Sequence, residues 1–391
     1  GAFVSRFKAL WHRLRSIEGC AQHIRCPAAH QHPLQSNCCK IYVQKWLRIF
    51  ISLSSKSNSC YNRIGQIKEG ESNMKIQSVA ILGAGAVGSY IIWGLSKKDN
   101  IRLGVIAEGD RARRLKESGC AINGTVYRPE VWTPQEAQGV DLLVVALKYG
   151  SLPGALESIK TAVGSNTVVM SLMNGVDSEE IIGRTVGMEH VLPALIKVAS
   201  HKEEDGYHFD PPTTLGIIFG EPSAPFDSER VKAVEELFAD TGIHFRFTEY
   251  IQEEIWCKFC LNVCSNLPQA ILGAGVGCYR DSVHMKAISD GLKRELEAVA
   301  QAKGIDMSKT ESSSGRGSAV PPSARYSTLQ DLDAGCHTEI DMFSGELVRM
   351  GKELGIPMPY NEYTYHMIKA LEEKNDGKFD YTGKEELTWS K

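Results

Sequence analysis

No apolar run in this chain approaches the ~18 residues needed to cross a bilayer, and the stretch Trp46 to Leu53 is far too short. An excess of basic charge is also missing. The formal net charge is −3 over 391 residues, which gives no electrostatic footprint for nucleic acid or an anionic membrane. There are no internal repeats. Cysteine is present, but its 11 residues are odd in number and show no secreted disulfide spacing. Reduced thiols in a cytosol-like compartment are therefore expected.

The first 73 residues lack acid: they hold no Asp and only Glu18, Glu69 and Glu71, against many Arg, Lys, Ser and Cys. Apart from a short amphipathic stretch around Phe7 to Ile17, nothing there reads as strand, glycine loop or long helix. Either Met74 begins the functional polypeptide, or the leader is an organellar transit peptide. In both cases residues 1–73 are expected to stand outside the fold and to be poorly ordered. The first alternative implies a cytoplasmic location, the second an organellar one.

What is present begins directly after Met74. An apolar strand, Gln77 to Leu82, runs into Gly83-Ala84-Gly85-Ala86-Val87-Gly88 and then into an apolar helical pattern. In such a loop the first glycine makes the tight turn. The second lets backbone approach a pyrophosphate, and the third lets helix pack closely on strand. The helix start offers free N–H groups and a positive dipole end to phosphate. A second apolar strand, Ile101 to Ala107, ends at Glu108, about 20 positions past the loop, where a carboxylate can accept ribose hydroxyls. These features predict a Rossmann dinucleotide-binding domain.

A helix from Asp110 to Ser118, with Asp110 as its cap, and paired short strands within Cys120 to Val131 follow. Asp141–Leu147 and Asn166–Leu172 are continuous apolar runs, the signature of parallel strands buried on both faces. Leu152 to Val163 reads as a helix between them. Further strands are expected in Val191–Ser200, Thr213–Phe219 and Ile243–Phe247, with a helix over Glu229–Thr241. From Tyr250 the pattern becomes helical: Glu253–Leu272, Val283–Lys303, Thr338–Leu354 and Tyr360–Glu373. Ser308 to Ala324, rich in Ser, Gly and Pro, reads as a flexible loop. The expected fold class is α/β, a Rossmann domain over 74–249 followed by an all-α domain over 250–391, with a cleft between them.

Three constellations carry chemistry. Lys148 and Asn174 each follow a buried strand and so project from the carboxyl edge of the sheet, where open α/β folds bind ligands. They can bind nicotinamide ribose, carboxamide or a substrate oxygen; otherwise Asn174 is a helix cap and Lys148 a solvated charge. Lys258, Asn262 and Asn266, spaced four apart, form one polar stripe on a helix apolar around most of its girth. Burying such groups is costly unless they are paired or face a polar cavity, so the stripe points to a substrate cleft. Glu339 is expected at the start of a helix, whose dipole favours its charge. His337 reads as a surface or capping residue. Cys257 and Cys260 lie three apart on a helix, but the further ligands of a tetrahedral metal site are not evident, so no metal is expected.

Taken together, these residues resemble those of the ketopantoate reductase (2-dehydropantoate 2-reductase) family. The resemblance is carried by the glycine loop, Lys148, Met-Asn174-Gly-Val, Trp256-x-Lys258-x-x-x-Asn262-x-x-x-Asn266, Ser327, and Thr-Glu339-Ile-Asp. It runs from Lys75 to about Glu373 in the family's order. It implies a C-terminal domain like that of 6-phosphogluconate dehydrogenase and catalysis in the interdomain cleft. Lys258 is then the general acid, and Asn262, Asn266 and Ser327 contact the substrate. Asn174 and Glu339 lie at the cofactor–substrate junction, and Lys148 near the nicotinamide. The implied reaction is NAD(P)H-dependent reduction of 2-dehydropantoate to pantoate, serving pantothenate and coenzyme A synthesis. The alternatives are a paralogous reductase of another 2-oxo acid and a nicotinamide-nucleotide sensor without turnover. The implied partner is a small 2-oxo acid, with a homodimer as the candidate assembly. Two departures stand out. Many members carry Arg where this chain has Glu108, so NADH is favoured over NADPH unless Arg111, Arg113 or Arg114 compensates. A substrate-contacting Asn of some members is replaced by Val276.

Overall fold

The computed structural model describes residues 74–310 and 320–381, all within one compact unit, Asn73–Lys391. The expectations for residues 1–73, and for the middle of the Ser308–Ala324 loop, lie outside the described residues. From Met74 the chain enters β1 (Ser78–Leu82), α1 (Ala86–Leu95), β2 (Arg102–Ile106) and α2 (Gly109–Ser118). It continues through β3 (Cys120–Ile122), β4 (Thr125–Tyr127), β5 (Glu130–Trp132), β6 (Leu142–Val145), α3 (Leu152–Ala162), β7 (Val168–Ser171) and α4 (Ser178–Val186).

The main sheet has the order β5-β2-β1-β6-β7, and every pair in it is parallel. Strands β1, β6 and β7 are buried on both faces because side chains alternate between two cores. Val79 and Ile81 enter one core with Val144, while Ala80 and Leu82 enter the other with Leu143 and Val145. The register aligns the strand ends: Leu82 pairs with Ile106 and with Val145, and Val145 pairs with Ser171. Gly83, Glu108, Lys148 and Asn174 therefore leave the sheet from one edge.

Two smaller sheets flank this one. Strands β9 (His201–Glu203) and β10 (Gly206–His208) join β3 and β4 in the order β4-β3-β10-β9. Strands β8 (Ala194–Lys197), β11 (Gly216–Phe219) and β12 (Phe245–Phe247) form the third, with α5 (Glu229–Phe238) lying between β11 and β12 in sequence. The β9–β10 hairpin has a polar sequence without apolar alternation and was not expected.

The rest of the described chain is helical. α6 (Ile251–Leu261) passes into a π turn (Asn262–Asn266) and then α7 (Leu267–Leu272). A short α8 (Cys278–Asp281), the long α9 (Val283–Ala302), α10 (Ser327–Asp333), a second π turn (Asp341–Gly345), α11 (Glu346–Leu354) and α12 (Pro359–Asn375) follow. Trp256, Phe259, Leu267, Leu296, Leu329, Phe343 and Ile368 are among the residues of their common core. Two expected single helices are thus interrupted. The Glu253–Leu272 segment contains a π turn, and the segment expected from Thr338 becomes helical only at Asp341. Asp110 is not the cap of α2 either. Glu108 holds that position, and Asp110 lies in the first turn, paired with Arg113.

Candidate active site

The glycine loop has the geometry its sequence requires. Gly83 has φ +109°, a conformation L-residues rarely adopt, and a Cβ on Gly88 would stand 1.9 Å from the Gly83 carbonyl oxygen. Helix α1 therefore rests directly on the turn, as expected. A Cβ on Gly85, by contrast, would meet nothing within 4 Å. That open space adjoins a helix start with no side-chain cap and no acidic residue in its first turn. Ala84, Ala86 and Val87 complete the loop. A negatively charged pyrophosphate fits this cradle, since N–H groups and dipole both favour an anion there. Glu108 follows β2 on the same edge, exposed and making no capping hydrogen bond.

Across the same edge, the helical part is clasped to the sheet by side chains from both. Glu339 accepts hydrogen bonds from the Tyr149 backbone N–H at 3.0 Å and from the Asn174 amide at 3.2 Å. Lys148 donates to both carboxylate oxygens of Asp331, at 2.9 and 2.8 Å. Burial opposes the Lys148 charge, but this hydrogen bond and the Asp331 charge outweigh it and hold its pKa above the ordinary value. The Tyr149 hydroxyl donates to Asp177, and its ring packs against the cores of both parts. Glu339 and Asn174 are thus brought together, whereas the Lys148 ammonium is engaged by a helical-part carboxylate.

Lys258 lies on α6, partly buried, and among the described residues its ammonium has no hydrogen-bond or ion-pair partner. Desolvation is the main reason its pKa falls to about 8, and the like charge of Lys197 pushes the same way. The carboxylates of Glu339 and Glu179 act against that fall. Lys197 ends β8 with a side chain only 19 % exposed, 3.9 Å from Glu254. Glu254 lies one helical turn before Lys258 and is also bound by Arg246 at 2.5 Å. Glu179, in the first turn of α4, has its carboxyl raised to about 7, chiefly by burial.

Asn262 and Asn266 are 8 % and 5 % exposed and bond to each other, the Asn266 amide donating to the Asn262 oxygen at 3.2 Å. This leaves the Asn262 Nδ2 donor and the Asn266 Oδ1 acceptor without partners. Orphaned buried groups of this kind cost stability unless a ligand engages them. Ser327 opens α10 and is exposed, while the neighbouring Thr328 hydroxyl is buried without a partner. Helix α10 packs against the π turn that carries the two asparagines.

Sequence reasoning missed Lys197, Glu179 and Tyr149. The signal for each was weak: a lysine ending a strand, an acid opening a helix, and a tyrosine next to Lys148. His337 is exposed and pairs with Asp376, just past the end of α12. Among the described residues, the metal-donor cluster is Glu203, Asp205 and His208 on the β9–β10 hairpin, which shares no residue with this site.

Two family models match the chain in sequence. Residues 79–215 match the ketopantoate reductase PanE/ApbA model and residues 250–372 its C-terminal counterpart. The chain belongs to the ketopantoate reductase family. It is 27 % identical over 308 residues to a 2-dehydropantoate 2-reductase of Streptococcus pyogenes, covering 75 % of this chain and 97 % of that one. To its Pyrococcus horikoshii counterpart it is 28 % identical over 307 residues, covering 76 % and 99 %. Among solved structures, a ketopantoate reductase from Ralstonia eutropha superposes with a TM-score of 0.65 at 25 % identity, covering 76 % of this chain and 99 % of that one. A D-mandelate dehydrogenase solved with NADH and anilino(oxo)acetate shares the fold, with a TM-score of 0.67 at 22 % identity and the same coverage. The family supports a nicotinamide-dependent oxidoreductase with a Rossmann-like N-terminal part and a helical C-terminal part.

Proposed function

We propose that this protein reduces 2-dehydropantoate to pantoate with a reduced nicotinamide cofactor. The observation that carries the reading is the Lys258 ammonium. It is shielded, free of partners among the described residues, and set one turn from Asn262 on the stripe that also carries Asn266. The Gly83–Gly88 loop would hold the cofactor's pyrophosphate and Glu108 its ribose hydroxyls, and the reduced nicotinamide would supply the hydride for the C2 carbonyl carbon. As the C–H bond forms, the carbonyl electron pair moves onto oxygen, and Lys258 stabilises the growing charge and donates its proton there. The neutral amine then recovers a proton from solvent. A lysine with a pKa near 8 transfers that proton more readily than an ordinary one at neutral pH. Asn262, Asn266 and Ser327 bind the substrate's hydroxyl and carboxylate, so orientation contributes to the rate. Asn174 and Glu339 lie where cofactor and substrate meet, with Lys148 on the nicotinamide side.

Glu108 favours NADH over NADPH, and the fit of the loop requires no metal. The reaction belongs to pantothenate and coenzyme A synthesis in the cytoplasm, and a homodimer is the assembly to test, since the fold occurs in a dimeric ketopantoate reductase from Staphylococcus aureus. Val276, standing where some members have a substrate-contacting Asn, favours a second reading: reduction of a different branched or hydroxylated 2-oxo acid. The test is steady-state turnover of 2-dehydropantoate and a panel of 2-oxo acids with NADH and NADPH. Greatest kcat/KM with 2-dehydropantoate supports the first reading, and a clear preference for another acid replaces it with the second.

A further inference from the structure

We propose that Tyr279 is a positioning residue that sets the register of the Lys258–Asn262–Asn266 stripe and of Ser327 by replacing a backbone hydrogen bond. The inference rests on the function proposed above. In an uninterrupted α-helix the Gln269 N–H would donate to the Ser265 carbonyl. Here the Tyr279 hydroxyl stands between them, accepting from Gln269 N at 3.0 Å and donating to the Ser265 oxygen. One residue earlier, Pro268 has no N–H to give, and its ring crowds the preceding turn. A proline and an inserted side chain are both recognised causes of a break in the helical ladder, and the π turn Asn262–Asn266 lies directly upstream.

The consequence is angular. At 3.6 residues per turn, side chains four apart drift by about 40° around an α-helix, so Lys258 and Asn266 would diverge by about 80°. The wider π turn takes back part of that drift and keeps Asn266 on the Lys258 face. The same tyrosine reaches Ser327 through Gln269, which is fully buried. The Gln269 side chain donates to the Ala324 carbonyl at 2.7 Å and accepts from the Tyr326 N–H at 2.9 Å. Tyr326 immediately precedes Ser327 at the start of α10. Burial pushes the Tyr279 phenol up, so it remains a donor throughout the neutral range.

The test compares 2-dehydropantoate with 3,3-dimethyl-2-oxobutanoate, which lacks only the hydroxyl that the asparagines and Ser327 would read. In Y279F the preference for the hydroxylated acid, as a ratio of kcat/KM values, should fall about tenfold, a change worth ~1.4 kcal/mol. Turnover of the deoxy acid, which keeps the carboxylate contact alone, should fall less, and affinity for the reduced cofactor should stay within twofold. An unchanged ratio, or an equal loss on both acids, overturns the proposal. Should Y279F fail to fold, P268A, which returns the missing donor to the helix, carries the same test with the same outcomes. If the wild-type protein turns over neither acid, the proposed function fails by itself. The inference is then decided by crystal structures of wild type and Y279F: displaced Asn266 and Ser327 support it, and unmoved side chains overturn it.

Discussion

Glu339 and Asn174 meet at 3.2 Å across the boundary between the helical part and the carboxyl edge of the main sheet. The second Glu339 oxygen accepts from the Tyr149 N–H, so a single carboxylate joins the ends of β6 and β7 to the segment before the second π turn. Glu339→Ala removes both acceptors and the negative charge that supports the Lys258 ammonium. It should lower kcat/KM by about 10²-fold, within the range for loss of a positioned acid–base group. Asn174→Ala, which leaves the Tyr149 bond intact, should cost less. Steady-state kinetics on both variants, with cofactor binding followed by fluorescence, checks the ranking; equal losses would remove Glu339 from its proposed role.

Lys258→Met keeps the length of the side chain and removes its proton. Loss of a general acid costs about 10²–10⁴-fold in kcat, and the reduced-cofactor dissociation constant should stay within about threefold. A variant with a tenth or more of wild-type kcat would exclude Lys258 as the acid.

The pH dependence has a defined sign. Lys258 must be protonated to act, and its pKa stands at about 8. Activity should therefore hold below that value and fall as pH rises through it. Lys197→Met removes the like charge that helps depress Lys258, so the falling limb should move to higher pH. Glu339→Gln removes a carboxylate that holds the ammonium charged, so its limb should move to lower pH. Profiles of kcat/KM from pH 6 to 10 distinguish these opposite displacements, and limbs that coincide in all three proteins would refute the electrostatic account.

Much of this architecture was legible because the relevant signals are local. The main-sheet strands announce themselves as apolar runs, and the glycine spacing encodes a turn whose close contact at Gly88 the structure reproduces. The contact of Asn262 with Asn266 was readable from their spacing on a helix. The π turn beneath it was not, because the apolar pattern runs through Val263 and Leu267 without a break, and its cause includes a tyrosine after the helix has ended. Lys197 and Glu179 were missed for the same reason: each reaches the site from a strand or helix distant in sequence. The ion pair of Lys148 with Asp331 spans 183 positions, and nothing local foretells it.

Gly88→Ala tests the loop independently of catalysis. The added Cβ would fall 1.9 Å from the Gly83 carbonyl oxygen, so helix α1 must move off the turn. Overpacking of this kind costs about 1–3 kcal/mol, and the displaced helix start should weaken NADH binding at least tenfold. Gly85→Ala is the informative partner. Its Cβ enters open space, so stability should be nearly unchanged while cofactor affinity still falls. Thermal unfolding and NADH titration together separate the two, and unaltered NADH affinity in both variants would exclude the loop as the pyrophosphate site.

Cofactor choice should turn on Glu108. Its carboxylate leaves β2 unbound by any capping contact, on the edge where the ribose hydroxyls of a bound dinucleotide would lie. A 2′-phosphate there meets a like charge, whereas a free hydroxyl finds an acceptor. The nearby arginines offer limited compensation. Arg113 is already paired with Asp110 at 3.0 Å. The wild-type protein should therefore use NADH better than NADPH. Glu108→Gln, by removing the charge, should raise the NADPH-to-NADH ratio of kcat/KM about tenfold, and Glu108→Arg should raise it further. Because the repulsion is screened by ions, the wild-type preference should also shrink as salt rises from 0.01 to 0.5 M. A wild-type preference for NADPH that Glu108→Gln leaves unchanged would assign the phosphate contact to Arg111, Arg113 or Arg114 instead.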